Sequence, residues 1–294
     1  MSDANVDVTI IIPCFNEEAA IEKTLGALLS EKKLLGCKVI VIDDGSTDAT
    51  AEKIKKFADV KLIRHGLNKG YGSSIASGCR ATQSKYVVWM DGDGQHRTED
   101  VVRVVNELVA GDFEWVIGCR DKKSHQVSSR KFGKFILKQC VRVVIGENEL
   151  DFNSGLRGFQ TSVLSKYLSF IEGGFGASTT TTLLMKKALH YGTSIDITVM
   201  ERSGSSSVRQ LRDGMRSMLL IFKIAMLFSP LKIIGGLGLF QFTVGIIYGF
   251  FRAVVEHQGF PILSVIITIS GIQTIFVGLV LDQMANIRFA LNEK

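Results

Sequence analysis

The chain has 294 residues, 46% of them apolar, and a formal net charge of +6 from 35 Lys and Arg against 29 Asp and Glu. That length accommodates one large or two ordinary domains, and that apolar content excludes disorder as the default. The positive balance suits anionic lipid or phosphorylated ligands, while the lack of a recognisable nucleic-acid module argues against nucleic acid as a partner.

In chain order, residues 1–7 are short and polar, so no signal peptide is expected ahead of the first strand, which is predicted over 8–12 and ended by Pro13. A helix follows over 17–30, with Ala20, Ile21, Leu25, Leu28 and Leu29 at helical spacing. The second strand covers 39–42 and runs into Asp43-Asp44-Gly45-Ser46, with a helix from about Asp48. A third strand covers 60–64, a glycine-rich turn 68–72, a helix 73–82, a fourth strand 86–90 and a fifth 115–119. This alternation predicts an α/β fold, a mostly parallel Rossmann-like sheet with helices on both faces. Cys14, Cys37, Cys79, Cys119 and Cys140 are odd in number and lack C-x-x-C spacing, which argues against a disulfide framework or a zinc site.

Ligands on such sheets bind beyond the carboxyl ends of the strands. Three polar clusters fall there: Pro13-Cys14-Phe15-Asn16-Glu17, Asp43-Asp44 and Asp91-Gly92-Asp93. Two carboxylates one residue apart at a strand tip can hold Mg2+ or Mn2+ against a diphosphate, since oxygen ligands suit these hard cations. Asp93 and Gln95 point the same way in an extended segment and would complete the metal shell. A nucleotide sugar is the ligand this set suits, with the metal stabilising the departing nucleotide. Asp43 or Asp44 would accept from a base N–H or a ribose hydroxyl.

Residues 8–17, Val41-Ile42-Asp43-Asp44-Gly45-Ser46-Thr47-Asp48-Ala49-Thr50, Asn68-Lys69-Gly70 and Met90-Asp91-Gly92-Asp93-Gly94-Gln95-His96 together resemble the inverting family 2 glycosyltransferases of GT-A fold. Within them the chain is most similar to polyprenyl-phosphate hexose synthases of the dolichyl-phosphate mannose synthase and bactoprenyl glucosyltransferase types, over residues 6 to about 208. The resemblance implies nucleotide-sugar contacts from Pro13, Phe15, Glu17, Asp91 and Gly92, with Asp43 or Asp44 at base and ribose. It implies a metal held by Asp91, Asp93 and Gln95. Phe15 stands where the family often has Tyr, which keeps a stacking face and loses a hydroxyl. Arg120, Ser129, Arg130, Ser154 and Arg157 lie in segments similar to those that bind the acceptor phosphate, which an arginine fork suits. Arg157, in an apolar and glycine-rich context, calls for a bound carboxylate or phosphate.

Residues 201–209 resemble the family's R-x-x-G-x-S-K loop without its lysine, with Arg209 one step later. Arg202 with Ser206 or Ser207 would contact phosphate as part of a lid over the donor. Asp93, Arg120, Arg130 and Arg202 are accordingly the expected catalytic residues. Many family 2 enzymes place a carboxylate before the helix expected here over 183–190, yet residues 173–195 contain none. A sugar hydroxyl needs a proton acceptor, whereas a phosphate monoester, with its second pKa at about 6, is already ionised. The expected acceptor is therefore a phosphate, which the resemblance makes undecaprenyl or dolichyl phosphate, with a UDP- or GDP-hexose as the implied donor. The alternatives are a membrane enzyme acting on a sugar hydroxyl, for which a Q-x-x-R-W segment is missing, and an inactive nucleotide-sugar-binding assembly subunit.

Beyond Pro230 the apolar content is nearly continuous: residues 231–251 carry only Lys232 as a charge, and 258–281 carry none. Each stretch suffices to cross ~30 Å of hydrocarbon as a helix. Gly235, Gly236, Gly238, Gly245 and Gly249 allow close helix packing in lipid and permit a homo-oligomer. Arg209, Arg212, Arg216 and Lys223 share one stripe opposite Leu211, Met215, Met218, Leu219 and Phe222, predicting an amphipathic helix at the lipid headgroups. The expected organisation is a catalytic domain over 1–208, an interfacial helix over 209–229 and a two-helix hairpin over 230–294. The excess of basic residues flanking the spans puts both ends on the cytoplasmic face.

Overall fold

The computed structural model describes residues 7–120, 151, 154–172, 176–200, 222, 226–257 and 259–293. They fall into two compact units, one built from the residues up to 200 and one from the apolar C-terminal helices.

The first unit is a mixed sheet of seven strands among the described residues, in the order β3 (Val60–Arg64), β2 (Lys38–Asp43), β1 (Val8–Cys14), β4 (Tyr86–Trp89), β6 (Arg157–Gln160), β5 (Trp115–Arg120), β7 (Gly192–Ile197). Strand β1, Val8–Cys14, is buried along its whole length, as the Val and Ile run of a parallel strand covered on both faces requires. It pairs in parallel with β2, Lys38–Asp43, and with β4, Tyr86–Trp89; β3, Val60–Arg64, extends the sheet beyond β2. The chain thus leaves β1 toward β2 and β3 and returns on its other side, opening a crevice at the carboxyl ends. Register brings Cys14, Asp43 and Arg64 side by side at that edge.

Helices cover both faces. Ile10 and Ile12 of β1 join one core with Ile21 and Leu25 of α1, Ile21–Leu29, and with Val101 and Val104 of α4, Thr98–Ala110. On the other face Ile11 packs on Gly78 of α3, Tyr71–Arg80. A short helix, α2, Thr50–Ile54, follows the β2 loop.

Two strands went unforeseen. After β5, Trp115–Arg120, strand β6, Arg157–Gln160, runs antiparallel between β4 and β5, and β7, Gly192–Ile197, pairs in parallel with β5. Trp89 stacks on Phe159 with ring centroids 4.8 Å apart, which locks β6 onto β4. Two short helices, α5 (Thr161–Ser165) and α6 (Leu168–Ile171), lead toward α7, Ala177–Lys187. The sequence placed that last helix over 183–190. It starts earlier because Thr181 and Thr182 donate their hydroxyls to Ala177 O and Ser178 O one turn back, so buried threonines are satisfied inside the helix. The first helix, expected from 17, begins only at Ile21; the amides of residues 16–18 ahead of it are taken by side chains of the next loop.

The second unit contains Leu231–Val255, whose middle is α8, Gly236–Phe250, and α9, Ile262–Glu293. Both helices are long and apolar enough to cross a membrane. They pack antiparallel through small residues: a Cβ on Gly238 would meet Gly271 O at 2.8 Å, and one on Gly245 would meet Thr268 N at 2.7 Å. Outside this seam Phe240, Ile247, Ile266, Phe276 and Val280 are exposed. A core helix of a water-soluble fold would bury them. Most of the expected interfacial helix over 209–229 lies outside the described residues; Phe222 is exposed, and Phe228 packs on Phe289 at 5.6 Å.

Candidate active site

The loops after β1 and β2 are laced together by side chain to backbone bonds. Asn16, in the left-handed region at φ 54°, accepts Thr47 N on Oδ1 at 2.9 Å, while its own amide donates to Ser46 Oγ at 2.9 Å. Glu17 N donates to Thr50 Oγ1, and Glu18 N to Asp48 Oδ2. Pro13, expected to end the strand, lies within it opposite Ile42, and β1 runs on to Cys14; Phe15 stands on the loop with 38% of its surface exposed, so it is not a core residue.

Asp43 and Asp44, expected at base and ribose, are both turned inward. Asp43 Oδ1 accepts Ser46 N at 2.9 Å, and Arg64 Nε lies 3.0 Å from Oδ2 in an ion pair too poorly aligned to be a hydrogen bond. Asp44 accepts Lys69 N at 2.9 Å and Gly70 N at 2.7 Å, and its Oδ1 pairs with His65 Nδ1 at 2.6 Å. His65 Nε2 in turn meets Ser77 Oγ of α3 at 2.9 Å. A buried carboxylate needs such donors. Their presence makes both aspartates organisers of the loops, a role the sequence did not suggest. An open depression lined by Gly45, Ser46, Thr47, Arg64, His65 and Gly66 adjoins them.

Asp91, Gly92 and Asp93 follow β4, whose ladder continues through Met90 N to Ile11 O. Gly92 is wedged against β1, where a Cβ would meet Cys14 Cβ at 3.2 Å. Asp91 is one-third exposed, with His96 Nε2 3.7 Å from its Oδ2. Asp93 is buried and accepts Gln95 N on Oδ1 at 3.1 Å. Gln95 donates its amide nitrogen to Met200 O at 3.1 Å. That fixes which end of the amide is nitrogen, so the other end is the carbonyl oxygen a hard cation would take. Among the described residues no three His, Cys, Asp or Glu side chains form a metal cage. Two carboxylates and an amide oxygen fit Mg2+ or Mn2+ that draws its remaining ligands from substrate phosphates.

One residue at this site was missed. Tyr71, first in α3, donates its hydroxyl to Asp91 Oδ1 at 2.8 Å. Burial, and then the Asp91 charge, hold the phenol well above its ordinary pKa of 10.0, so it stays a donor.

On the other side of the crevice Arg120, at the end of β5, grips Asp151 with Nε at 2.5 Å and Nη2 at 2.7 Å. The Asp151 carboxylate raises the Arg120 pKa. Arg157 is fully buried, with the Asp151 charge acting on it, and its guanidinium donates to neutral oxygens. It donates to Ser154 O at 2.8 Å, Thr182 Oγ1 at 2.5 Å and Asp151 O at 3.1 Å. Burial lowers its pKa to about 10. Ser154 is likewise buried. The described residues 176–195, through α7 as far as Ile195, carry no carboxylate; Glu172, just before them, pairs with Arg80, and the nearby acid, Asp151, is committed to Arg120. Ser129, Arg130 and Arg202 lie outside the described residues.

The chain and its fold have relatives. Residues 9–171 match the family described as Glycosyl transferase family 2, and residues 229–287 match the GtrB C-terminal hairpin. The chain is 27% identical to a UDP-N-acetylglucosamine–dolichyl-phosphate N-acetylglucosaminyltransferase of Methanococcus voltae, over 53% of this chain and 70% of the relative. It is 26% identical to an undecaprenyl-phosphate 4-deoxy-4-formamido-L-arabinose transferase of Shewanella sediminis, over 96% of this chain and 88% of the relative. Glucosyl-3-phosphoglycerate synthase of Mycobacterium tuberculosis, solved with Mn2+, UDP-glucose and phosphoglyceric acid, has the same fold. Its TM-score is 0.59 at 16% identity, over 74% of this chain and 79% of that one. A strand-tip carboxylate pair on a mixed sheet, in a chain matched over most of its first 171 residues, leads to one conclusion: the protein belongs to glycosyl transferase family 2.

Proposed function

We propose that the protein transfers a hexosyl group from a nucleoside-diphosphate sugar to a polyprenyl phosphate, with inversion at the anomeric carbon. A phosphate oxygen of the acceptor forms the new bond to that carbon as the bond to the nucleoside diphosphate breaks, so no proton need be removed. The observation that carries this reading is the pairing of the Asp91 and Asp93 carboxylates with an acceptor side whose described residues offer arginine and whose described acids are paired, Asp151 with Arg120 and Glu172 with Arg80. Both named transferases above act, by their names, on a polyprenyl phosphate, which supports the same acceptor here.

Asp91, Asp93 and the Gln95 carbonyl oxygen would hold Mg2+ or Mn2+, which when bound neutralises the diphosphate and eases its departure. Phe15 offers an exposed ring for base stacking. Arg120, half-buried, gives its Nε and Nη2 to Asp151 and would turn its remaining Nη1 side to the acceptor phosphate. Arg157 acts from behind, holding the Ser154 and Asp151 backbone in place. Arg130 and Ser129 would add to the acceptor site, and Arg202 to the donor side. The hairpin would anchor the enzyme, with the catalytic domain on the cytoplasmic face, where the acceptor phosphate lies at the bilayer surface.

Asp93→Asn tests the reading. It removes one charge from the donor site and is expected to lower turnover on the order of 100- to 1,000-fold while the protein still inserts and folds. Wild-type turnover by the variant would reject the assigned role.

A further inference from the structure

We propose that Tyr71 is a positioning residue that sets the Asp91 carboxylate for the divalent cation and couples it to the Asp44 latch. This rests on the reading that Asp91 and Asp93 hold that cation. The phenol oxygen lies 2.8 Å from Asp91 Oδ1, with the O–H donating. A carboxylate on a short side chain turns easily about its last bond, and a fixed donor on Oδ1 removes that freedom. Gly155 closes the opposite side: a Cβ there would overlap the Asp91 carboxylate. Between the tyrosine and the glycine, Asp91 has one orientation.

The position of Tyr71 is itself determined. Gly70, directly before it, has φ 94°, a conformation open to glycine, and donates its amide to Asp44 Oδ2 at 2.7 Å. Asp44 also takes Lys69 N and His65 Nδ1, and His65 is held by Ser77 one and a half turns into α3. The latch thus fixes the first residue of the helix from which the phenol reaches Asp91. Ser178 of α7 also touches the phenol, and Arg157 lies near it. One hydroxyl therefore links the carboxylate at the β4 tip to the elements of the acceptor side.

Partners that orient a metal ligand typically govern affinity by 10- to 100-fold. Titration of the full-length protein in detergent with Mn2+ alone, followed by the loss of the free-ion EPR signal, reads that effect directly. Tyr71→Phe keeps the ring, and Gly155→Ala presses the carboxylate from the other side. Each is expected to weaken Mn2+ binding about tenfold or more. Turnover of Tyr71→Phe should recover at saturating Mn2+, which a merely structural defect would not do. Asp93→Asn separates the two readings. If Asp93→Asn weakens Mn2+ binding while Tyr71→Phe and Gly155→Ala bind as wild type does, the role of Tyr71 is overturned and the metal site stands. If wild type and Asp93→Asn bind alike, the metal site falls and the inference with it.

Discussion

Asp44 shows how much one side chain can organise at this sheet edge. Its carboxylate accepts two backbone amides and the His65 ring while almost wholly enclosed. Asp44→Asn places an amide NH2 where donors already point, leaving at least one buried N–H unmatched. The expected loss is about 2 to 3 kcal/mol, read as a lower thermal unfolding midpoint in detergent; an unchanged midpoint would show that the latch carries little. The carboxylates of Asp91 and Asp93 were legible in the sequence because they adjoin in the chain at the end of an apolar run. The partners of these acids were not. Tyr71 lies twenty residues before Asp91, and His65 twenty-one after Asp44, and nothing local marks either as a partner. The same holds for Arg157: nothing in its apolar context marks the Ser154 carbonyl and the Thr182 hydroxyl that take its N–H groups.

At the scale of elements, the strands that could be read were those whose burial shows as unbroken apolar runs, β1, β2 and β4 above all. Strand β6 carries Arg157 and Gly158 in four residues, and it is a strand because Gly158 lets Val104 and Leu108 close over it while Phe159 stacks on Trp89. No periodicity within four residues announces that. Helix α7 was displaced in the reading because β-branched threonines weaken a helical signal. The two apolar helices were plain from composition, and their seam follows from the glycines. Gly245→Leu would drive a side chain into Thr268 and the Ser264 carbonyl. Overpacking of this kind costs about 1 to 3 kcal/mol, so the hairpin should resist protease less well in detergent. Phe240→Leu, on the exposed side, should leave it unchanged. Equal resistance of both variants would refute the packing assigned to the seam.

For the whole molecule, two parts answer two needs of one reaction. The sheet unit presents carboxylates and an aromatic ring suited to a nucleotide diphosphate, and the apolar hairpin suits a lipid environment. The choice of hexose and of nucleotide belongs to pocket contacts that the motifs do not encode. The choice of acceptor turns on a chemical absence, since residues 173–195 supply no carboxylate to deprotonate a hydroxyl. The most direct measurement incubates the purified full-length protein with Mg2+ or Mn2+, polyprenyl phosphate and a panel of labelled UDP- and GDP-hexoses. A parallel set replaces the lipid phosphate with the unphosphorylated polyprenol and with free sugars. The account predicts label in a polyprenyl-phosphate product from at least one donor, abolished by EDTA and by Asp93→Asn, and none on the hydroxyl acceptors. Label on hydroxyl acceptors alone, or none with any donor, would contradict it.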